Sequence, residues 1–403
     1  MRLSLAFRRF CAALSVIGLM VTLAACDSTI TVDSTTTDTT TGTPVATGTA
    51  SGTPAPGSTP APGTTPSANP TATPTSGGNN PPPLSQLTVY AGAGDNNFYG
   101  INAANGTKRW SYALGDIANK PTPINGIAYG ATPGGQVFAI NSGSLLWHTS
   151  PGGGFNGRPA VDSGAGLLFL GADNNSMYAL HTSDGTSAWS YATGGSITGS
   201  LFFDNGLVFS GSEDGYVYAI HENNGSLAWR TKISAVEYAS PTGSSGVLYI
   251  GADDGNVYAL NEGSGAIQWK FQTGGQILAK PSIANGVVYI GSDDHNVYAL
   301  NAGNGHKIWS HALNDNAGTP ILANNEVLVG SSAGAVYALN QGNGNQIWQK
   351  SIGGIARPWY STTQGVLYVG SSDGNLYAFD VASGHQDWKF TAGGGFESPT
   401  VGV

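Results

Sequence analysis

Short apolar stretches alternate with turn residues along most of the chain after residue 86. One representative segment predicts four short strands, at residues 281–284, 287–290, 296–300 and 308–310. Between them lie turn residues such as Asn285-Gly286, which tolerate the positive φ that tight hairpins need. Successive apolar residues, as in Val287-Val288-Tyr289-Ile290, fit a sheet that is covered on both faces. The pattern therefore predicts a four-stranded antiparallel unit.

This unit recurs eight times, and a tryptophan marks its outermost strand in every copy. Neighbouring tryptophans are 37 to 42 residues apart. They are Trp110, Trp147, Trp189, Trp229, Trp269, Trp309, Trp348 and Trp388. Because one such sheet cannot bury its apolar faces alone, the repeat predicts an all-β, eight-bladed β-propeller of four-stranded antiparallel blades.

The two ends of the repeat region predict how the ring closes. The first unit, from Leu87, begins with the second strand of a blade, whereas Ser398-Pro399-Thr400 aligns with Lys280-Pro281-Ser282 at an innermost strand. We therefore expect the C-terminal strand to pair in the N-terminal blade, which leaves no unpaired sheet edge.

The first 26 residues predict export and a lipid anchor. Three arginines precede an apolar run at residues 10–25, the order that is typical of a secretory signal. The run ends in Leu23-Ala24-Ala25-Cys26, which resembles the bacterial lipobox. Residues 1–25 are therefore predicted to be a lipoprotein signal peptide, with lipid on Cys26. An ordinary signal peptide with a chance cysteine is the alternative.

Residues 26–86 are rich in Thr, Pro, Gly, Ser and Ala, a composition that lacks the apolar groups needed to offset ordering entropy. We expect a lipid-anchored, disordered linker there, followed by the propeller at 87–403. The predicted location is the extracytoplasmic face of the cytoplasmic membrane, at the cell surface or in the periplasm.

Charge and cysteine content exclude several functions. The chain has 15 Lys plus Arg against 24 Asp plus Glu, without a basic face for phosphate backbones, so we expect no nucleic-acid partner. Its two cysteines, Cys11 and Cys26, precede the propeller, which therefore has no disulfide, thiolate nucleophile or Cys-ligated metal. We expect a monomer.

The segment from Ala299 to Trp309 resembles the repeat of the pyrroloquinoline quinone (PQQ)-like β-propeller family, which includes quinoprotein dehydrogenases and BamB-like lipoproteins. Family repeats keep a small residue first, Gly seventh and Trp eleventh. The resemblance implies that each tryptophan docks between blades over small residues. Two departures are Gly100 in place of the first alanine and a second unit two residues short before Trp147.

The BamB-like resemblance implies a non-catalytic, membrane-tethered scaffold that binds envelope or cell-surface proteins. The dehydrogenase resemblance implies PQQ with calcium, but family dehydrogenases hold the quinone against adjacent cysteines, which residues 87–403 lack. We therefore predict no cofactor and no catalytic residue, with a PQQ-dependent dehydrogenase-like quinoprotein as one alternative and a propeller that binds glycan or another small ligand as another.

Acidic residues recur in the turn between the second and third strands, and we interpret them as hairpin turns rather than metal sites. Examples are Glu213-Asp214-Gly215, Asp253-Asp254-Gly255, Asp293-Asp294 and Asp373-Gly374.

Basic residues recur just before the innermost strands, where the chain enters the central channel. The candidate channel-mouth ligand site comprises Lys120, Arg158, Lys280, Arg357, Trp359, Glu237 and Glu397. Spacing leaves Arg357 and Trp359 as alternatives for the equivalent position in the last repeat unit. Such a ring predicts an anion site, or else an acidic domain that neutralises itself around a polar channel.

Overall fold

The computed structural model describes residues 81–403 apart from 239, 362 and 363, and apart from the side chains of residues 357 and 359–361. The predicted signal peptide, Cys26 and the linker up to residue 80 lie outside the described residues. Within the described part, 32 strands form eight four-stranded antiparallel sheets. The predicted eight-bladed β-propeller is confirmed. In this part of the chain, no apolar helix reaches membrane-spanning length.

The strands, in chain order, are β1 (Thr88–Gly92), β2 (Asn97–Asn102), β3 (Lys108–Ala113), β4 (Asn119–Ile124), β5 (Ile127–Ala131), β6 (Val137–Asn141), β7 (Ser144–Thr149), β8 (Ala160–Asp162), β9 (Leu167–Ala172), β10 (Ser176–His181), β11 (Ser187–Ala192), β12 (Phe202–Asp204), β13 (Leu207–Gly211), β14 (Tyr216–His221), β15 (Leu227–Lys232), β16 (Thr242–Ser244), β17 (Val247–Gly251), β18 (Asn256–Asn261), β19 (Ile267–Gln272), β20 (Ser282–Ala284), β21 (Val287–Gly291), β22 (Asn296–Asn301), β23 (Lys307–Ala312), β24 (Ile321–Ala323), β25 (Glu326–Gly330), β26 (Ala335–Asn340), β27 (Gln346–Ser351), β28 (Ala356–Ser361), β29 (Val366–Ser371), β30 (Asn375–Asp380), β31 (Gln386–Thr391) and β32 (Thr400–Gly402).

Blade 1 contains β32 and β1 to β3, and blades 2 to 8 take the following strands four at a time, from β4–β7 to β28–β31. The first strand of each blade is innermost. Segments that join one blade to the next lie on the same side of the ring as the turns between second and third strands, and we call this side the connector face. The other turns form the opposite face.

The ring closes through blade 1. Thr88 pairs with Gly402 and Tyr90 with Thr400, so β32 is the innermost strand of the first blade. A further bridge joins Ala93 to Phe396, whose side chain is fully buried. The predicted closure by the C-terminal strand is confirmed.

The hydrophobic core consists of layers between neighbouring blades. In one layer, Tyr249 and Val257 of blade 5 contact Val288, Ile290 and Tyr298 of blade 6. The second and third strands of a blade are therefore buried on both faces, whereas the outer strand β19 alternates between exposed and half-buried positions. This explains why the two middle strands read as continuous apolar runs.

Seven of the eight repeat tryptophans donate a hydrogen bond from Nε1 to a backbone carbonyl of the next blade, over 2.6 to 3.0 Å. The pairs are Trp147–Thr182, Trp189–Glu222, Trp229–Glu262, Trp269–Ala302, Trp309–Gln341, Trp348–Val381 and Trp388–Ala103.

Trp110 differs, and no corresponding bond occurs among the described residues. Its ring lies against Gly100 of its own blade, and its Cβ contacts Gly143 of the next. Both departures from the repeat, at Gly100 and in the shortened second unit, therefore fall at the interface between blades 1 and 2.

On the connector face, an aspartate in each acidic turn accepts hydrogen bonds that hold the turn in place. Asp294 Oδ2 accepts hydrogen bonds from the Tyr298 hydroxyl at 2.5 Å and from the Gly274 N–H at 2.7 Å. Burial opposes its ionisation, but these bonds together with those from Asn296 outweigh burial and lower the pKa of Asp294. The same aspartate–tyrosine bond occurs at Asp95, Asp214, Asp254 and Asp373. This structural use of the aspartate in each turn agrees with a hairpin role.

Candidate functional site

The strand register decides which residues occupy equivalent places at the channel mouth. Ser282 pairs with Tyr289 in blade 6, so Lys280 lies two residues before this paired position. Lys120 and Arg158 lie two residues before Thr122 and Ala160, the equivalent paired positions of blades 2 and 3.

The same register settles the ambiguous position in blade 8. Trp359 pairs with Tyr368 and therefore corresponds to Ser282, which places Arg357 at the position of Lys280. Trp359 belongs to the strand itself. The side chains of both residues lie outside the described part.

Hydrogen bonds join these positions around the ring where a hydroxyl residue follows. The N–H of Arg158 donates to Ser200 Oγ at 2.9 Å, and the N–H of Ser200 donates to Ser240 Oγ at 2.8 Å. The N–H of Lys280 donates to Thr319 Oγ1 at 3.1 Å. These bonds link neighbouring blades and fix the backbone from which the basic side chains extend.

Two basic side chains act electrostatically on a third one at the channel mouth. Lys280 of blade 6 is half-buried and lies four blades from Lys120 and three from Arg158. Burial, followed by the positive charges of Arg158 and Lys120, lowers the pKa of Lys280 to about 8. Burial also lowers the pKa of Arg158. The structure therefore brings Lys120 and Arg158 within electrostatic range of Lys280.

The two predicted acids lie in different surroundings. The N–H of Glu237 donates to Asp253 Oδ1 at 3.1 Å, and the Glu237 charge contributes, after burial, to a raised pKa of Glu213. Glu237 thus belongs to an acidic group formed by blades 4 and 5. Glu397 precedes β32, where its N–H donates to the Gly92 carbonyl.

The sequence did not predict a second set of acids, on the opposite face. Asp162 at the end of β8 contacts Glu222 after β14, and Asp204 at the end of β12 contacts Glu262 after β18. Burial and the bond to Asp162 raise the pKa of Glu222 to about 7. Glu262 is only 4% exposed, and none of the described residues donates a hydrogen bond to either of its carboxylate oxygens.

Glu222 also lines a groove of about 620 Å³ between blades 3 and 4, beside His181 and His221. No group of three or more His, Cys, Asp or Glu side chains that could hold a metal ion occurs among the described residues. This donor set does not fit a calcium-bound quinone, so we derive no chemistry from one.

The repeat matches a known family over most of the propeller. The model of the family described as outer membrane protein assembly factor BamB matches residues 114–201, 133–240 and 195–390. The chain belongs to this family.

Curated members of the family match over a shorter segment. BamB of Escherichia coli (strain K12) is 34% identical over 99 residues, which cover 21% of this chain and 25% of that protein. BamB of Salmonella typhimurium (strain LT2) is 31% identical over the same length. The chain thus matches about a quarter of the length of these curated relatives.

Solved structures share the fold. BamB from Moraxella catarrhalis superposes with a TM-score of 0.61 at 18% identity, covering 68% of this chain and 88% of that one. The computationally designed Ika8 protein gives a TM-score of 0.61 at 16% identity, covering 71% and 95%. At these identities the likeness concerns the fold alone.

Proposed function

We propose that this chain is an extracytoplasmic, BamB-like scaffold that binds envelope proteins through its connector face and is tethered to a membrane by lipid on Cys26. The observation that carries the proposal is the match of the BamB family model along residues 114–390. The names of the curated relatives describe those proteins as outer membrane protein assembly factors.

The propeller supports a scaffold role because a closed ring of packed blades presents its loops from a rigid frame. On the connector face, Tyr238 and Ile355 are 51% and 42% exposed. Large aromatic and aliphatic side chains of this kind anchor protein interfaces when a partner buries them. The linker at 26–86 would separate this face from the anchor by up to about 180 Å if fully extended.

Site-specific photo-crosslinking in intact cells tests the scaffold role. A photoreactive residue is placed at Tyr238 or Ile355 on the connector face, with Ser264 on the opposite face as the matched control. We expect both connector-face positions to crosslink to one and the same envelope protein and Ser264 not to do so. Crosslinks of equal yield at Ser264, or none at either connector-face position, would reject the proposed binding face.

Fractionation tests the tether. The full chain should sediment with membranes, and Cys26→Ser should release it into the soluble extracytoplasmic fraction. Unchanged sedimentation of Cys26→Ser would show that lipid on this cysteine is not the anchor.

A further inference from the structure

Positive and negative charges occupy different parts of the propeller. Eight of the 12 basic residues between residues 81 and 403 lie on the outer strands of the blades, and all eight are exposed. Of the 21 acidic residues in the same range, only Asp387 lies on an outer strand. We call the eight cations the basic rim. They are Lys108, Arg109, Arg230, Lys232, Lys270, Lys307, Lys350 and Lys389.

Protection of the sheet edges does not account for this separation. Charged side chains on an outer strand keep it from pairing with other chains, but charges of either sign serve that purpose. Aspartates such as Asp294 are needed in the turns, where they accept hydrogen bonds that hold the chain. That role explains the acids in the turns and leaves the single sign of the outer strands unexplained.

The charge of the basic rim is not cancelled within the protein. Among the described residues, no carboxylate forms an ion pair with any of its eight cations. Lys232 Nζ donates to the Asp214 carbonyl at 2.6 Å, and it lies 4.7 Å from the centre of the Tyr216 ring. The Arg230 guanidinium lies 4.9 Å from the same ring centre. Such contacts orient a cation but leave its charge available to an external anion.

Two neighbouring blades bring cations of the basic rim into one groove. Lys350 of blade 7 and Lys389 of blade 8 line a groove of about 480 Å³, together with Ile352, Tyr377 and Gln386. None of the described residues that line this groove is acidic. The groove can therefore receive one anionic group between two ammonium groups.

The basic rim follows a curved edge. Its cations lie on blades 4 to 8 and blade 1, which are six consecutive blades of the ring. A flat bilayer touches only adjoining blades at one time, whereas a flexible chain can follow the whole arc. The shape thus favours a polymer over a membrane surface.

The apolar side chains beside the basic rim disfavour a nucleic acid. Proteins that bind single-stranded nucleic acids present exposed aromatic rings on which the bases stack. The large apolar side chains exposed on the described outer strands are all aliphatic. They are Leu146, Leu227, Ile267, Ile308 and Ile347.

We infer that the basic rim binds a flexible linear polymer of phosphodiester-linked units other than nucleotides. Six of its eight cations are lysines, which bind phosphate as point charges, whereas the paired donors of arginine suit planar carboxylates. Each neutralised phosphate releases counterions, so separate contacts along the arc add to the affinity. The inference does not depend on the scaffold role.

The test measures the binding of fluorescently labelled poly(glycerol phosphate) to the full chain by anisotropy. The chain carries Cys26→Ser, so that a lipid on this residue cannot contribute. We expect saturable binding that weakens at least about tenfold when the salt concentration rises from about 50 to 200 mM, and no binding of neutral dextran. Vesicles of phosphatidylglycerol and single-stranded oligothymidylate compete at equal phosphate concentration, and both should compete less well than unlabelled poly(glycerol phosphate).

Paired variants locate the site. Lys350→Ala combined with Lys389→Ala should weaken binding about tenfold, because both cations of the groove are lost. Ser187→Glu combined with Ser190→Glu changes the net charge equally on β11, an outer strand without a cation, and should alter affinity less than about twofold. Lys350→Arg combined with Lys389→Arg should bind like the parent chain, since both charges remain.

Four results would overturn the inference. The first is no saturable binding of poly(glycerol phosphate), and the second is binding that salt leaves unchanged. The third is an equal loss in the alanine and glutamate pairs. The fourth is stronger competition by the vesicles or the oligonucleotide, which would assign the basic rim to a membrane or a nucleic acid. The salt dependence and the arginine pair keep the test decisive even if the alanine pair folds poorly.

Discussion

On the outer strands of the blades a single residue type repeats, whereas the equivalent positions at the channel mouth differ from blade to blade. Tryptophan marks every outer strand, and seven of the eight indoles donate the same bond to the next blade. At the mouth the eight positions, starting from blade 1, are Ser398, Lys120, Arg158, Ser200, Ser240, Lys280, Thr319 and Arg357.

This difference separates residues that every blade needs for docking from residues that can vary between blades. Blade docking is the same physical problem at every interface, so one solution recurs. At the channel mouth, a hydroxyl accepts a bond from the preceding blade at only some positions, so the side chains there can differ. In a repeat protein, the equivalent positions that differ are therefore the first place to search for a site.

The largest predicted effect is at the repeat tryptophans. Trp269→Ala removes the bond to the Ala302 carbonyl and the contact with the Tyr249 ring. We expect a loss of about 3 to 5 kcal/mol in the free energy of unfolding, measured by urea denaturation. Trp269→Phe, which keeps most of the apolar area, should lose less. A loss below about 1 kcal/mol for Trp269→Ala would contradict the docking role.

The glycine beneath the indole should be nearly as sensitive. Gly305 has a φ of +72°, and a Cβ there would meet Trp269 Cε3 at 2.6 Å. Gly305→Ala should cost about 2 to 3 kcal/mol, from backbone strain and the displaced indole together. Gly286→Ala is the matched control, since its φ is +74° and a Cβ there would meet nothing within 4 Å. Equal losses in urea for the two variants would show that contact with the indole is unimportant.

The carboxyl pairs make two interfaces sensitive to pH. Burial and Asp162 raise the pKa of Glu222 to about 7 in the folded chain, above its ordinary value of 4.5. The folded chain thus binds the extra proton between these values, and its contribution to stability is lost as the pH rises from 4.5 to 7. We expect the free energy of unfolding to fall by about 1 to 2 kcal/mol, because solvent screens this partly exposed pair.

Glu222→Gln tests this assignment, because its amide can donate to Asp162 at any pH. The variant should lose less stability than the parent chain when urea midpoints at pH 5 and pH 7.5 are compared. Parallel pH profiles for the two proteins would assign the proton to other groups.

The smallest effect is at the channel mouth and has the opposite sign. Since the pKa of Lys280 is about 8 when folded and 10.5 when unfolded, the parent chain should gain stability as the pH rises between these values. Lys280→Met should lack this gain and should be about 1 kcal/mol more stable than the parent at pH 7 without added anion. Lys270→Met serves as the control in the same urea titrations. A destabilised Lys280→Met would mean that the cation is structurally required.

Local sequence signals predicted the blades well. Asn285-Gly286 forms the predicted hairpin turn, with φ values of +52° and +74°. The outer strand β23 runs from Lys307 to Ala312 and so extends beyond the predicted 308–310. It was underestimated because its exposed residues interrupt the apolar pattern.

The site depended on contacts that spacing cannot show. Four residues separate the paired Ser361 and Val366, where two separate Ala284 and Val287, so counting along the chain left Arg357 and Trp359 unresolved. The pairing of Asp162 with Glu222 joins residues 60 positions apart in different blades. The order of the blades around the ring decides which charged side chains, distant in sequence, lie next to each other.

Closure of blade 1 by β32 has a consequence for biogenesis. Blades 2 to 8 can form in turn as the chain is made, but β1 has no inner neighbour until residues 400–402 arrive. The ring can therefore close only after the last strand of the repeat array is available. A chain cut short before Phe396 would leave a strand edge and an apolar layer open, and an open edge of this kind pairs readily with other chains.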